Sequence, residues 1–301
     1  MRRFRLESDG LVAQLLDYGA TLMTLQAPDG TNVVLGFDDP QRYLEPHPHI
    51  GGVIGRYANR IAHGRFTLDA QGYQLTCNEG SHHLHGGHAG FDRVRWRGEA
   101  RGDTVELAYV SRDGEEGYPG TLRAKVAYRL AGRRMRVTYE ASTDRPTIVN
   151  LTHHAYFNLA GGGTIDEHEL RVAAQRYVEV DEALIPTGTL ADVAGTALDY
   201  RQWRRIGSAR IDHTFVLQGD VALRDPRSGR SLRIRTTQPG VQVYTGHLSG
   251  RRGICLEPQH FPDSPNHPAF PSTVLRPGER YRHETMYALS VSGTALAAGG
   301  A

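Results

Sequence analysis

Apolar and polar residues alternate along most of this chain. The period-two runs RFTLDAQGYQLTC, TVELAYV, LRAKVAYRL, RMRVTYEAS, HELRVAAQRYVEV, RSLRIRTT and GVQVYTG are separated by turn residues. Successive side chains of an extended strand point to opposite faces, so this alternation predicts strands with one face on a core. The helical period is nearly missing, and the best helical stretch, Leu198 to Ile206, is short. Strands in series without intervening helices predict an all-β fold, a large antiparallel β-sandwich with little helix, rather than strand–helix–strand units. No Pro/Ser-rich linker or charge block interrupts the pattern, so residues 1–301 are expected to form one domain. The small, Gly-rich tail SGTALAAGGA (292–301) is expected to fray.

Composition narrows the classes. A hydrophobic fraction of 39% and a charged fraction of 23% suit a globular protein with a sizeable core, and a net charge of +2 carries no nucleic-acid or membrane footprint. The start, MRRFRLESDG, lacks the apolar run of a secretory signal, and no stretch approaches the roughly 20 apolar residues of a membrane span. A soluble cytoplasmic protein is the expectation. Lys125 is the only lysine. A Schiff-base mechanism would have to use it, yet it sits at a solvent-facing position of LRAKVAYRL. Cys77 and Cys255 form no CxxC pair, and their strand-like contexts predict small buried hydrophobes.

The chain has no GxSxG elbow, Walker loop or HExxH helix, and Gly161-Gly162-Gly163 reads as a turn. Histidine stands out instead. Of the fifteen histidines, ten lie in GRYANRIAHG (55–64), NEGSHHLHGGHAGFD (78–92), NLTHHAYFNLAG (150–161), ICLEPQHFPDSPNHP (254–268) and the shorter IDHTFVL (211–217), which GVQVYTG (240–246) accompanies. Any one of these reads equally well as a wet loop or a satisfied core histidine. Their joint occurrence is harder to explain that way.

In this order the six segments resemble the galactose mutarotase (aldose 1-epimerase) family, from about Gly51 to Tyr287. The most specific pieces are ANRIAHGRFTLD, HLHGG followed by GFD, LTHHAYFNLAG and LEPQHFPDSPNHPAFPSTVLRPGE, with EEGYPG, IPTG and IDHTF also matching. The resemblance implies a sandwich with a free aldose in a cleft on one face. It implies Glu257 as general base and His154 as general acid, with Asn59, Arg60, His85, Asp212 and Gln242 holding the sugar or tuning the pair. Such a pair would interconvert the α and β anomers with no metal or redox cofactor. The expected partner is thus a small aldose, with no nucleic acid and no membrane.

Strand alternation admits only one of His153 and His154 to the cleft, and His154 is the one aligned with the family's acid. His82 and His83 are expected on a rim or loop. For Asp263, His260 and His267, structural use and sugar contact both stand open. Ala155 replaces the family's usual small hydroxyl residue, His153 its usual asparagine and Ala70 a common glycine. The stretch from Tyr200 to Ile211 is shorter than in many relatives. Three rivals accompany this reading: a non-catalytic sugar-binding module, a metal-dependent hydrolase or lyase using His82, His83 and His85, and an epimerase of hexose 6-phosphates.

Overall fold

A computed structural model describes residues 1–291, so the expected fraying of 292–301 lies outside the described residues. The alternating runs do become strands. The strand Leu122–Ala131 buries Leu122, Ala124, Val126, Tyr128 and Leu130 and turns Arg123 and Arg129 to solvent. Lys125 lies on that outer face between Glu106 and Glu140, as its position in the run predicts. The run HELRVAAQRYVEV splits into Glu169–Val172 and Arg176–Val180, which join different sheets.

Two large antiparallel sheets dominate. The first has nine strands, ordered Arg204–Arg205, Glu169–Val172, Val221–Asp225, Arg230–Thr236, Tyr281–Val291, Arg134–Thr143, Leu122–Ala131, Thr104–Ser111 and Arg97–Arg101. The second has six: Tyr156–Phe157, Ile254–Gln259, Gly240–Tyr244, Asp212–Val216, Arg176–Val180 and Pro186–Asp192. One apolar cluster joins them. Val126, Val137 and Leu289 of the first sheet share it with Phe157, Phe215, Val241, Val243, Ile254 and Leu256 of the second. The architecture is therefore the sandwich that the alternation predicts.

Among the described residues helix is confined to 3-10 turns, and none is long and apolar enough to cross a membrane. The short helical candidate at 198–206 is not a helix. Asp199 instead closes a turn on Arg201, and the segment ends in the short strand Arg204–Arg205. Too few periodic positions were present there to offset nucleating a helix. The burial expected of Cys77 also fails. That thiol is exposed and donates to the Ser81 carbonyl, because the strand Gln71–Gln74 has already ended; Cys255 is buried as expected.

Candidate active site

The second sheet is buried on both faces where its central strands meet. Ile254–Gln259 and Gly240–Tyr244 are buried at every position. Along them Ile254, Leu256, Val241 and Val243 enter the core, so Glu257, Gln242 and Tyr244 point the other way. Register then aligns the polar groups. Gln242 pairs with Glu257 on one side and Thr214 on the other, while Asp212 pairs with Tyr244. Thr214 donates its hydroxyl to Gln242 Oε1, and Gln242 Nε2 donates to Asp212 Oδ1 at 2.6 Å. These bonds hold the amide in one orientation with its carbonyl away from Asp212.

Loops close the space over this ladder. The segment around Thr152–His153 pairs with Val53–Ile54, and its neighbouring histidines part company there. His153 turns into the core against Tyr128, with neither ring nitrogen hydrogen-bonded. His154 turns outward and brings Nε2 to 3.7 Å from Glu257 Oε1, while its Nδ1 meets Cys255 Sγ at 3.5 Å. The strands Arg60–Ile61 and His83–Leu84 pair with each other and bring Asn59 and His85 together. Both residues have left-handed backbone, φ 68° and 53°. The following Gly86 is also left-handed, and a Cβ there would lie 1.8 Å from the Gly55 carbonyl oxygen. The glycines of HLHGG thus permit the close approach that aims His85.

The result is a cavity of about 190 Å³ lined by His49, Asn59, Arg60, Glu79, His85, His154, Tyr156, Asp212, Gln242, Tyr244, Leu248 and Glu257, with Pro48 and Leu84. All seven residues that the resemblance assigns to the site line it. Larger surface hollows exist elsewhere, such as the one of about 520 Å³ beside Gln175 and Arg201, but they lack this concentration of titratable groups.

Burial sets the electrostatics. It pushes the Glu257 carboxyl well above its ordinary value, and the Asp212 charge adds to the rise. Burial pushes His154 down to about 3, with a smaller push from His49. His85 is likewise held well below the usual imidazole range by burial and by the neighbouring imidazoles. Asp212 is raised by burial, against the pull of Arg60. The Arg60 guanidinium forks onto Glu79, Nε to Oε2 at 2.7 Å and Nη2 to Oε1 at 2.8 Å, which fixes it on the cavity wall.

Several sequence readings need adjustment. His83 is fully buried, not on a rim. Its ring nitrogens meet the Tyr118 hydroxyl and the Thr76 carbonyl, both at 2.6 Å, so hydrogen bonds compensate its desolvation. His82 sits in a turn beside His63, and His85 faces the cavity. The three histidines therefore do not converge on a metal. Among the described residues the group with ligand atoms close enough to share an ion is His154, Cys255 and Glu257, within 4.8 Å of one another. Asp263 and His260 serve structure. Asp263 accepts from the Ala62 N–H and Asn266, and His260 meets Gln238 at 2.8 Å. Sequence reasoning missed His49, Glu79, Tyr156 and Tyr244. The last three stood unremarked inside the quoted segments, whereas His49 lies in EPHPHIGG, outside all of them.

Comparison with known proteins points to one family. The family model for aldose 1-epimerase matches residues 2–288. Galactose mutarotase of Bos taurus is 43% identical over 324 aligned positions, covering 97% of this chain and 95% of that protein. Aldose 1-epimerase of Escherichia coli (strain K12) is 39% identical, covering 92% of each chain. Among solved structures, an aldose epimerase homologue from C. elegans superposes with a TM-score of 0.91 at 30% identity, covering 96% of this chain and 99% of that one. Galactose 1-epimerase from Lactobacillus acidophilus gives 0.87 at 30% identity, covering 96% and 94%.

Proposed function

The chain belongs to the aldose 1-epimerase family, and from that premise we propose that it interconverts the anomers of a free aldose with Glu257 as general base and His154 as general acid. The observation that carries the assignment is the 3.7 Å approach of these two side chains in the cavity. The anomeric hydroxyl and the ring oxygen are bonded to the same carbon. The groups that serve them must therefore be neighbours.

Glu257 takes the proton of the anomeric hydroxyl as the bond from C1 to the ring oxygen breaks. The electron pair of that bond goes to the ring oxygen, which receives a proton from His154, and C1 becomes a carbonyl. Rotation about C1–C2 and attack on the other carbonyl face close the ring, and both protons return. The pair holds one proton throughout, and no redox step occurs. Ring opening converts an ion pair into a neutral pair. Burial raises Glu257 and lowers His154, so the enclosed setting favours that conversion. The ion pair needed at the start draws on hydrogen bonds from the sugar's own hydroxyls, which replace water in the filled cavity.

Arg60, Asn59, His85, Asp212 and Gln242 hold the ring in place. Glu79 offsets the Arg60 charge on the wall, which favours a neutral sugar over a hexose 6-phosphate. The same reading takes the chain as one domain, supported by a core cluster that runs from Phe4 to Leu289. Polarimetry on freshly dissolved α-aldoses and their phosphates tests it. The enzyme should hasten equilibration of neutral aldoses more than that of phosphates, and failure to hasten any would sink the reading.

A further inference from the structure

The cavity contains an imidazole that this mechanism leaves without a task. His49 follows Pro48 on the wall, and its ring centroid lies 4.8 Å from that of His85 and 5.6 Å from that of His154. Two hydrogen bonds fix His49 and His85 in opposite senses. His85 Nδ1 accepts the backbone N–H of Asn59 at 3.1 Å, so the neutral ring carries its proton on Nε2 and is a donor there. His49 Nδ1 faces Asp92 Oδ2 at 2.8 Å, and a carboxylate can only accept. The neutral His49 ring therefore carries its proton on Nδ1, and its Nε2 is an acceptor. Asp92 Oδ2 also lies 3.6 Å from Arg93 Nε, and as a carboxylate oxygen it accepts the proton on Nδ1 and so fixes the His49 tautomer. Neither Nε2 has a hydrogen-bond partner among the described residues.

Two adjacent rings on one cavity wall, one offering a donor and the other an acceptor, suit one kind of group. A hydroxyl accepts from one ring and donates to the other. An ether oxygen, a carbonyl or a methyl group satisfies at most one of them. We propose that His49 is a specificity-determining residue which, with His85, reads one hydroxyl of the bound aldose, and that Asp92 is the positioning residue that sets its tautomer. This inference rests on the aldose reading of the cavity. It concerns recognition rather than proton transfer, so it leaves the roles of Glu257 and His154 unchanged.

The test compares the enzyme with its His49→Phe variant, which keeps a ring but removes the acceptor. The substrates are the neutral aldose used fastest and its 2-, 3-, 4- and 6-deoxy analogues. For the parent sugar, kcat/KM should fall about tenfold, the scale of one lost hydrogen bond in a desolvated site. For one deoxy analogue, lacking the hydroxyl that is read, enzyme and variant should agree within about twofold. A ratio that is the same for all five sugars would overturn the proposal, because the ring would then only shape the wall. Removing His49 also orphans the buried Asp92 carboxylate. If His49→Phe does not fold, the double variant with Asp92→Asn removes that charge and faces the same two outcomes. An enzyme that accelerates none of the sugars overturns the aldose reading and this inference together, whereas an active enzyme with uniform ratios overturns the inference alone.

Discussion

The strands Leu122–Ala131 and Ile254–Gln259 obey the same alternation and put it to different use. In the first, every second side chain enters the core and the others meet water, where Lys125 sits between Glu106 and Glu140. In the second, all six residues are buried, and the face away from the core carries Glu257, whose Oε2 has no hydrogen-bond partner within the protein. A half-exposed ion pair contributes at most about 1 kcal/mol. A buried carboxylate with an unmet oxygen costs stability. The fold alone gives no reason to keep it. A second buried face with charge on it thus marks a strand shaped by its chemistry, whereas a second face in water marks one shaped by the core alone.

Removing a charge from each strand's surroundings should separate the two sharply. Glu257→Gln preserves shape but accepts no proton, so kcat should fall roughly 10²–10⁴-fold while the sugar still binds. Glu140→Gln, at the ion-paired outer face of the first sheet, should leave kcat within about twofold and cost no more than about 1 kcal/mol in denaturation. Similar activity losses in both variants would break the comparison.

The same contrast holds between adjacent residues. His154→Asn should lose kcat on the scale of Glu257→Gln, since the amide donates a hydrogen bond but delivers no proton to the ring oxygen. His153→Asn faces the core and should stay within a few-fold of the parent. A dead His153→Asn beside a fully active His154→Asn would show that the wrong neighbour has been assigned as the acid. Acid stability gives His153 its own signature. Burial alone lowers its folded pKa from 6.5 to about 3, so below pH 6.5 the unfolded chain takes up a proton that the folded chain refuses. Its contribution is complete above pH 6.5 and is lost as the pH falls toward 3. Between pH 7 and 4.5, His153→Asn should therefore lose about 3 kcal/mol less stability than the parent in urea titrations.

These residues also show what was legible in the sequence. Alternation alone separated Leu122–Ala131 into its two faces and put His153 and His154 on opposite ones. It could not say which face of Ile254–Gln259 was a site, because a strand buried on both faces reads as an apolar run broken only by Glu257 and Gln259. The resemblance to a family supplied that. His49 escaped both routes. Its bond to Asp92 spans 43 residues, and the left-handed backbone that turns it into the cavity leaves no periodic trace. His83 was misjudged for a related reason: its partners Tyr118 and Thr76 lie on separate segments, and only the fold brings them together.

The smallest expected effect tests the comparison from outside both sheets. The hairpin of Arg65–Leu68 and Gln71–Gln74 turns on Asp69 and Ala70, with φ 50° and 62°. Two consecutive positive φ values define the turn that Asp-Gly satisfies best, since a Cβ in this region clashes with the neighbouring carbonyl. Ala70→Gly relieves that clash and also gives the unfolded chain more freedom, which offsets part of the gain. The net should be a stabilisation of about 0.5 kcal/mol, seen as a rise in the urea midpoint at unchanged slope. The ion pair from Asp69 to Arg276 does not involve the substituted side chain and should persist. Ala70 does not line the cavity, so kcat and KM should not move. A loss of stability would mean that the turn is not strained at Ala70. A change in kcat at constant stability would mean that residues shaping only the fold and residues shaping the site are not as separable as the two strands suggest.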